Sequence, residues 1–475
     1  MKRETARRMQ FRGHIETGAT PPPSVAVTIE YELHDPTTLT VDLLLIGDES
    51  ERRAAALYLR HLPVNHLWLH SDDPDVPSVE VLGIHGFSHR GTHFSIKASA
   101  VQVGISPEPQ ARDLTWHMSA ELTPSGILEV TGIREMSYTG DIKFRPVGKG
   151  KIEVSTSLGT FQVAEHYAHH DSEEHGNKVI HTVQRAAVTG TLHIAAGRDL
   201  HTTNEAVREE VKNICTILSL CYRQPVSYYE IDYVTDPETT PDEETARAYL
   251  RRRRNALETK IRQEELIHQQ GLTRGGLDRL LQAYNGSSRK KELSRAIQFL
   301  AASYKMTTLE SSYFLAYSAL DLVAGIAKPD NIYLLGSSKW KKVYGLLKDD
   351  LDDIKKTEGL TKRVVEQMKE KLPELRRTSG DRRITEACRA LRIKTEDLWP
   401  AEGFKDGLKK ATRMRNELFH SALMESPKEL YDHLIRVRIL VERLLMKLLK
   451  WPKKRIWTWY DEKLKWVNQR SDETE

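Results

Sequence analysis

Arg415, Asn416 and His420 stand together in the stretch Arg415-Asn416-Glu417-Leu418-Phe419-His420 of the C-terminal third. Their types suit metal-free cleavage of an RNA phosphodiester. That reaction needs a group to take the 2′-hydroxyl proton, a group to protonate the leaving 5′-oxygen, and cationic support for charge on phosphorus. Histidine titrates near neutrality and can make either proton transfer. Arginine stays charged and offers phosphate a planar fork. An asparagine amide can hold a phosphate oxygen or orient the imidazole.

The element that must position them reads as one helix, from Phe404 to Met424. Phe404, Leu408, Ala411, Leu418 and Ala422 recur at three- and four-residue spacings and define an apolar stripe. Arg415 falls inside that stripe, where an aliphatic residue is expected, and a guanidinium is costly to bury without a partner. Asn416 and His420, four apart, share a neighbouring polar face. On a regular helix Arg415 and His420 point roughly 140° apart. Either the helix is distorted there, or a second copy of the motif completes the site across a dimer.

Arg415-Asn416 followed by His420 resembles the R-N-x-x-x-H motif of the HEPN ribonucleases, a superfamily found in many toxin and abortive-infection systems. Spacing alone is weak, since Arg112 and His117 repeat it in a strand-like stretch; the Asn after the Arg and the helical setting add weight. The other reading is an Arg and a His serving a helix-packing seam. The resemblance implies an endoribonuclease that leaves 2′,3′-cyclic phosphate and 5′-hydroxyl ends, uses no metal or other cofactor, and works as a homodimer or higher homo-oligomer. The RNA would be a tRNA or an mRNA. Phe314 to Asp321 resembles the helix that begins many HEPN cores and often carries an acid, a role open to Glu310 or Asp321; both are equally at home on an ordinary polar helix face.

The domain order, β-rich then helical, is similar to that of ApeA-type abortive-infection effectors, which implies a β region that senses an infection cue, such as a phage-derived trigger, or restrains the nuclease. Two readings of other classes stand beside this one: a non-catalytic HEPN-type RNA- or nucleotide-binding protein, and a structural interaction scaffold.

The predicted fold class is α+β and multidomain. Residues 1–198 form a β-rich sandwich or barrel-like region, 199–286 a helical connector, 287–452 an all-α HEPN-like bundle and 453–475 a basic, aromatic tail. At 475 residues, two or three domains are expected. The net charge of +4 excludes a histone-like polycation. Three cysteines, Cys215, Cys221 and Cys388, without paired metal spacing suit a reducing compartment. The basic start lacks an apolar core for a secretory signal, and no apolar run approaches the roughly 20 residues of a membrane span. A cytoplasmic protein that does not enter a membrane is therefore expected.

Along the first region, alternation predicts strands at Ser24–Leu33, Leu39–Leu44, His66–His70, Ser78–Ile84, Thr92–Val103, Leu114–Leu122, Lys151–Ser155, Thr160–Ala164 and Val179–Ile194, with one helix at Glu51–Arg60. His85, His89 and His93 recur every four residues, but with Gly83, Gly86 and Gly91 around them they read as a turn. Tyr167–Lys178, rich in His and acid, reads as a solvated loop. Neither stretch makes a convincing metal site. Thr202-Thr203-Asn204-Glu205 reads as a capping box for a helix through Cys221, and Val226–Val234 as a strand or extended connector. Helices are then predicted at 245–270, 288–303, 309–326, 338–351, 360–372, 382–391, 404–424 and 428–450.

Basic charge concentrates between Arg251 and Leu300, where twelve Lys/Arg face five Asp/Glu. Arg251, Arg252, Arg253 and Arg254 are either a solvated helix face or an electrostatic grip on an RNA backbone. The stretch from Lys450 to Trp466 sets Lys453, Lys454 and Arg455 among four of the eight tryptophans, a mixture that suits stacking on bases or clamping the tail to the body. The clamp is favoured, because tryptophan more often serves as a packing surface. Replacing Arg251–Arg254 with serine should weaken RNA binding and flatten the dependence of log K on log salt. An unchanged slope in a salt titration would return the run to the solvated-face reading.

Overall fold

In the computed structural model the described residues are 6–16, 22–32, 39–60, 66–73, 78–103, 113–123, 132–136, 142–146, 151–174, 177–235, 265–267, 269–273, 275–327, 333–376, 378–421, 426–452 and 464–469. The chain divides into two compact units, Met1–Leu281 and Gln282–Glu475.

The first unit opens with strands β1 (Ala6–Ile15), β2 (Ser24–Glu32), β3 (Thr40–Leu45), β4 (His66–Ser71), β5 (Val79–Arg90) and β6 (His93–Val103), with helix α1 (Glu49–Arg60) between β3 and β4. They close into an antiparallel barrel in the order β1-β2-β3-β6-β5-β4. Alternation explains its core: Val25, Val27 and Ile29 of β2, Val41, Leu43 and Leu45 of β3, and Phe94 and Ile96 of β6 all point inward, joined by Ala55 and Leu59 of α1. Closure depends on the β1–β4 seam, where Gly13 pairs with Ser71. A Cβ on Gly13 would lie 1.8 Å from the His70 carbonyl oxygen, so only glycine allows the two backbones to meet there.

A second, five-stranded antiparallel sheet follows, built from β7 (Leu114–Thr123), β10 (Lys151–Thr156), β11 (Gly159–Glu174), β12 (Asn177–Ile194) and β13 (Ser227–Thr235) in the order β10-β11-β12-β7-β13; β8 (Gly132–Met136) and β9 (Ile142–Pro146) form a separate hairpin. Helix α2 (Leu200–Cys221) packs on β13 and β12, and the Tyr233 hydroxyl donates to Asn204 Oδ1 at 3.0 Å.

Three local expectations are corrected here. Within Tyr167–Lys178, residues 167–174 belong to β11 and 177–178 to β12, with Asp171 opposite Ile180 and Glu173 opposite Lys178. A ladder satisfies the backbone whatever the polarity of the side chains, so a polar composition does not exclude it. His85 and His89 lie on β5, which continues to Arg90; Gly86 marks a register shift after Ile84, a bulge inside the strand, and the turn comes later at Gly91. The cap of α2 is Asp199, which accepts from the Thr202 amide, and Thr202–Glu205 lie inside the helix. Two short helices, α3 (Gln269–Thr273) and α4 (Gly276–Asn285), end the connector, with 265–267 irregular. The predicted helix from 245 falls almost wholly outside the described residues. Among those described, no helix is long and apolar enough to cross a membrane, and no group of three or more His, Cys, Asp or Glu could hold a metal ion.

The second unit is helical: α5 (Lys290–Ser303), α6 (Leu309–Ala327), α7 (Ser337–Thr357), α8 (Lys362–Lys371), a 3-10 turn (Leu372–Arg376), α9 (Gly380–Ala390), α10 (Phe404–Ser421) and α11 (Pro427–Leu448). An N-terminal barrel unit is thus followed by a helical one, as the predicted α+β class requires. α7, α8 and the 3-10 turn share a small core of Leu351, Val365 and Leu372. α6 packs on α5, α9, α10 and α11.

α11 is buried on nearly every side, although it carries Asp432, His433, Arg436, Arg438 and Glu442. Arg438 and Glu442 find internal partners. Arg438 bonds Ser303 and lies 4.1 Å from the Tyr304 ring, and the Tyr304 hydroxyl donates to Glu442 at 2.6 Å. Arg443 grips Asp397 with both terminal nitrogens, at 2.7 and 2.8 Å. Trp457 and Trp459, on which the clamp reading leans, lie outside the described residues, while 464–469 pack on the helical unit. Trp451, Leu464 and Val467 are buried, Trp466 meets Tyr431 edge-on, and Asn468 donates to the Asp397 carbonyl. Lys453, Lys454 and Arg455 lie outside the described residues.

Burial, assisted by the nearby Arg436 charge, pushes the His433 imidazole down to about 4. Its Nδ1 accepts from the Trp399 indole N–H at 3.2 Å, a bond that requires the neutral ring. The unfolded chain takes up this proton near pH 6.5 and the folded chain only near 4, so stability should fall as pH drops through that window. The loss is at most about 3 kcal/mol. His433→Gln should flatten the pH dependence of denaturant unfolding between those limits; the same slope in both proteins would remove His433 as its source.

Candidate active site

α10 owes its position to Trp399 and Gly407. A Cβ on Gly407 would lie 2.1 Å from Trp399 Cγ, so the indole rests on bare backbone there. Phe404 adds its ring to the same indole, with centroids 5.7 Å apart. Beyond this anchor Leu408, Ala411, Met414 and Leu418 face the core. Met414 therefore takes the inward position that the sequence reading gave to Arg415. Both positions continue a three-four repeat from Ala411, and the helix has rotated so that the guanidinium stands at the edge of the stripe, half-buried. α10 runs as α-helix from Phe404 to Ser421, which leaves no distortion at the motif. Ala422 is outside the described residues. His420 is on the last turn of α10, and its side chain is likewise outside them.

At the edge of the stripe, Arg415 donates from one Nη to Asn416 Oδ1 at 3.1 Å, and its guanidinium carbon lies 5.6 Å from the Phe419 ring centre. Among the described residues no carboxylate pairs with it. Glu417, two positions away, is engaged by Arg413 at 2.7 Å. Phe419 stands open to solvent and stacks with Phe314 of α6.

Behind Arg415 lies a buried polar layer. The Tyr313 hydroxyl donates to the Ala411 carbonyl at 2.8 Å. The Thr412 hydroxyl donates to the Leu408 carbonyl at 2.9 Å, which leaves its oxygen to accept from the Tyr317 hydroxyl at 2.7 Å. Burial raises the Tyr317 phenol and the Asp321 charge raises it further, while the Thr412 bond and the Arg415 charge act the other way. The net result is a phenol that keeps its proton near neutrality and serves as a fixed donor. Asp321 accepts from Arg383 at 2.8 Å. Gly380, at the start of α9, comes close enough that a Cβ would lie 3.7 Å from Asp321 and 3.9 Å from the Tyr317 oxygen.

Three helices thus converge: α6 with Phe314, Tyr317 and Asp321, α9 with Gly380 and Arg383, and α10 with Thr412, Arg415, Asn416 and Phe419. Of the two acids singled out from the sequence, Asp321 is tied to this cluster. Glu310 sits in the first turn of α6, about 16 Å along the axis from Asp321. Arg251, Arg252, Arg253 and Arg254 lie outside the described residues. Sequence reasoning missed the parts of Tyr317, Thr412, Arg383 and Phe419. Two tyrosines four apart on an otherwise apolar helix were the available signal for the first. Arg383 carried none, because its partner lies 62 positions away.

Chemically, the arrangement offers a planar cation free of carboxylate partners among the described residues, an amide beside it and an exposed aromatic face, all on a helix whose other side is locked. Comparison with known protein families, characterised proteins and solved structures gives no match to this chain.

Gly407→Ala tests the anchor. Alanine gains about 1 kcal/mol of helix propensity, yet forcing a methyl into the Trp399 indole costs about 1–3 kcal/mol. Thermal unfolding should show a lowered midpoint; a raised one would mean that Trp399 gives way and does not fix α10.

Proposed function

We propose that this chain is a metal-independent endoribonuclease of the HEPN type, an RNA-cleaving effector of anti-phage or abortive-infection character in which the β-rich unit senses a trigger or restrains the nuclease. The observation that carries the reading is the state of Arg415. Arg383, Arg413 and Arg443 each meet a carboxylate, whereas Arg415 has none among the described residues and turns its fork along the helix edge beside Asn416. A guanidinium kept in this way is suited to a phosphate, whose charge it meets bidentately.

In this reading Arg415 holds the scissile phosphate and supports the negative charge that grows on it. Asn416 steadies a phosphate oxygen. His420 moves the proton, from the 2′-hydroxyl or to the 5′-oxygen. Attack of the 2′-oxygen on phosphorus expels the 5′-oxygen, which leaves a 2′,3′-cyclic phosphate and a 5′-hydroxyl. Because α10 is continuous α-helix, positions 415 and 420 lie roughly 140° apart around its axis. Two chains pairing their α10 helices would place two such motifs about one cleft, with two His420 residues to act as acid and base. Such a cleft, open to water or filled by phosphate, also spares Arg415 the cost of full burial.

Purified protein incubated with total RNA in EDTA should produce fragments with cyclic-phosphate ends. His420→Ala should lower the rate by at least about 100-fold. Arg415→Lys should also be strongly impaired, since an ammonium cannot reproduce the fork. Cleavage by folded His420→Ala protein at the wild-type rate would sink the assignment.

A further inference from the structure

We infer that Phe419, backed by Phe314, is a platform on which an unpaired base stacks, so that the RNA engaged at Arg415 is single-stranded. The inference rests on the proposed nuclease reading for its choice of ligand, and adds a specificity-determining residue. Phe419 is 64 % exposed and Phe314 37 %, an unusual placement for two phenylalanines that touch. Their rings are nearly parallel, 17° apart in plane with centroids 6.5 Å apart, so Phe314 backs the exposed Phe419 ring. Phe419 is also one helical turn from Arg415, whose guanidinium lies 5.6 Å from its ring centre.

A flat apolar face beside a cation that lacks a carboxylate partner among the described residues matches the two halves of a nucleotide, a base and its phosphate. α10 reinforces the match: Lys405, Lys409, Lys410, Arg413 and Arg415 outnumber Asp406 and Glu417, a balance that favours an anion. Phenylalanine has no hydrogen-bonding group, so it reads only the face of a base. That recognition tolerates any sequence but fails on a duplex, where both faces of each base are covered by its neighbours.

The test measures binding separately from cleavage, in full-length His420→Ala protein, by fluorescence anisotropy of a short labelled oligoadenylate and of the same strand annealed to its complement. Phe419→Ala should weaken single-strand binding by roughly 5- to 150-fold and leave duplex binding unchanged. Phe419→Trp should restore it, and Phe314→Ala should have a smaller effect. Equal weakening for single strand and duplex, an unchanged single-strand Kd, or no RNA binding at all would overturn the platform. So would a Phe419→Ala protein that sediments as a smaller assembly with RNA affinity intact, because the aromatic pair would then belong to an interface between copies. Phe419-dependent binding without wild-type cleavage would retain the platform and remove the nuclease, whereas wild-type cleavage with a KM indifferent to Phe419 would do the reverse.

Discussion

The indole of Trp399 holds the candidate site in place from both sides. Its face lies on the bare backbone of Gly407, and its N–H is spent on His433 in the core of α11. The first contact sets how closely α10 approaches, and the second ties the Trp399 segment to the most buried helix of the unit. Arg415 lies eight residues beyond Gly407, about 12 Å along the helix, so a small tilt at the anchor becomes a larger displacement at the motif. A neutral His433 is part of this arrangement, since its ring nitrogen must accept the indole proton.

Two cations packed within the helical unit are each held by more than one partner, Arg438 by Ser303 and the Tyr304 ring and Arg443 by Asp397 and a backbone carbonyl. Removing one partner from such a set leaves a charge stranded in low dielectric, a severe penalty that makes these contacts structural. Arg415 differs from these two, held at the edge of the core with an amide and an aromatic ring for company. That difference gives the proposed chemistry its physical basis.

In the first unit the governing constraint is closure. Six strands form a barrel because Gly13 lets β1 reach β4 without a clash, which removes the open edges that sheets otherwise expose. The five-stranded sheet is not closed; α2 packs on β12 and β13, and α3 on β10. The long β11–β12 hairpin is paired from Phe161 opposite Gly190 to Glu174 opposite Asn177. A regulatory role for these β elements belongs to the proposal, and their geometry supplies rigid scaffolds for one.

Periodicity placed most of the strands through Ile194 and the helices of the second unit, with α10 and α11 within a few residues, but it did not mark β1, β8 or β9 as strands and left β13 as a strand or an extended connector. These elements were legible because Val25, Val27 and Ile29, or Leu408, Ala411 and Leu418, must recur at the spacing of the structure that buries them. The motif Arg415-Asn416-…-His420 was legible because it lies on one helix, where separation in sequence fixes separation in space. Tertiary structure decided the rest. Whether Met414 or Arg415 turns inward depends on helix rotation, which the packing of Trp399 on Gly407 constrains and which the three-four repeat leaves open. Barrel closure, the Asp321–Arg383 pair and the Phe314–Phe419 stack join residues roughly 60 to 105 positions apart, as their registers and contacts show. Local pattern carries no record of such distant partners, because either member of each pair would look the same in its own helix or strand without the other.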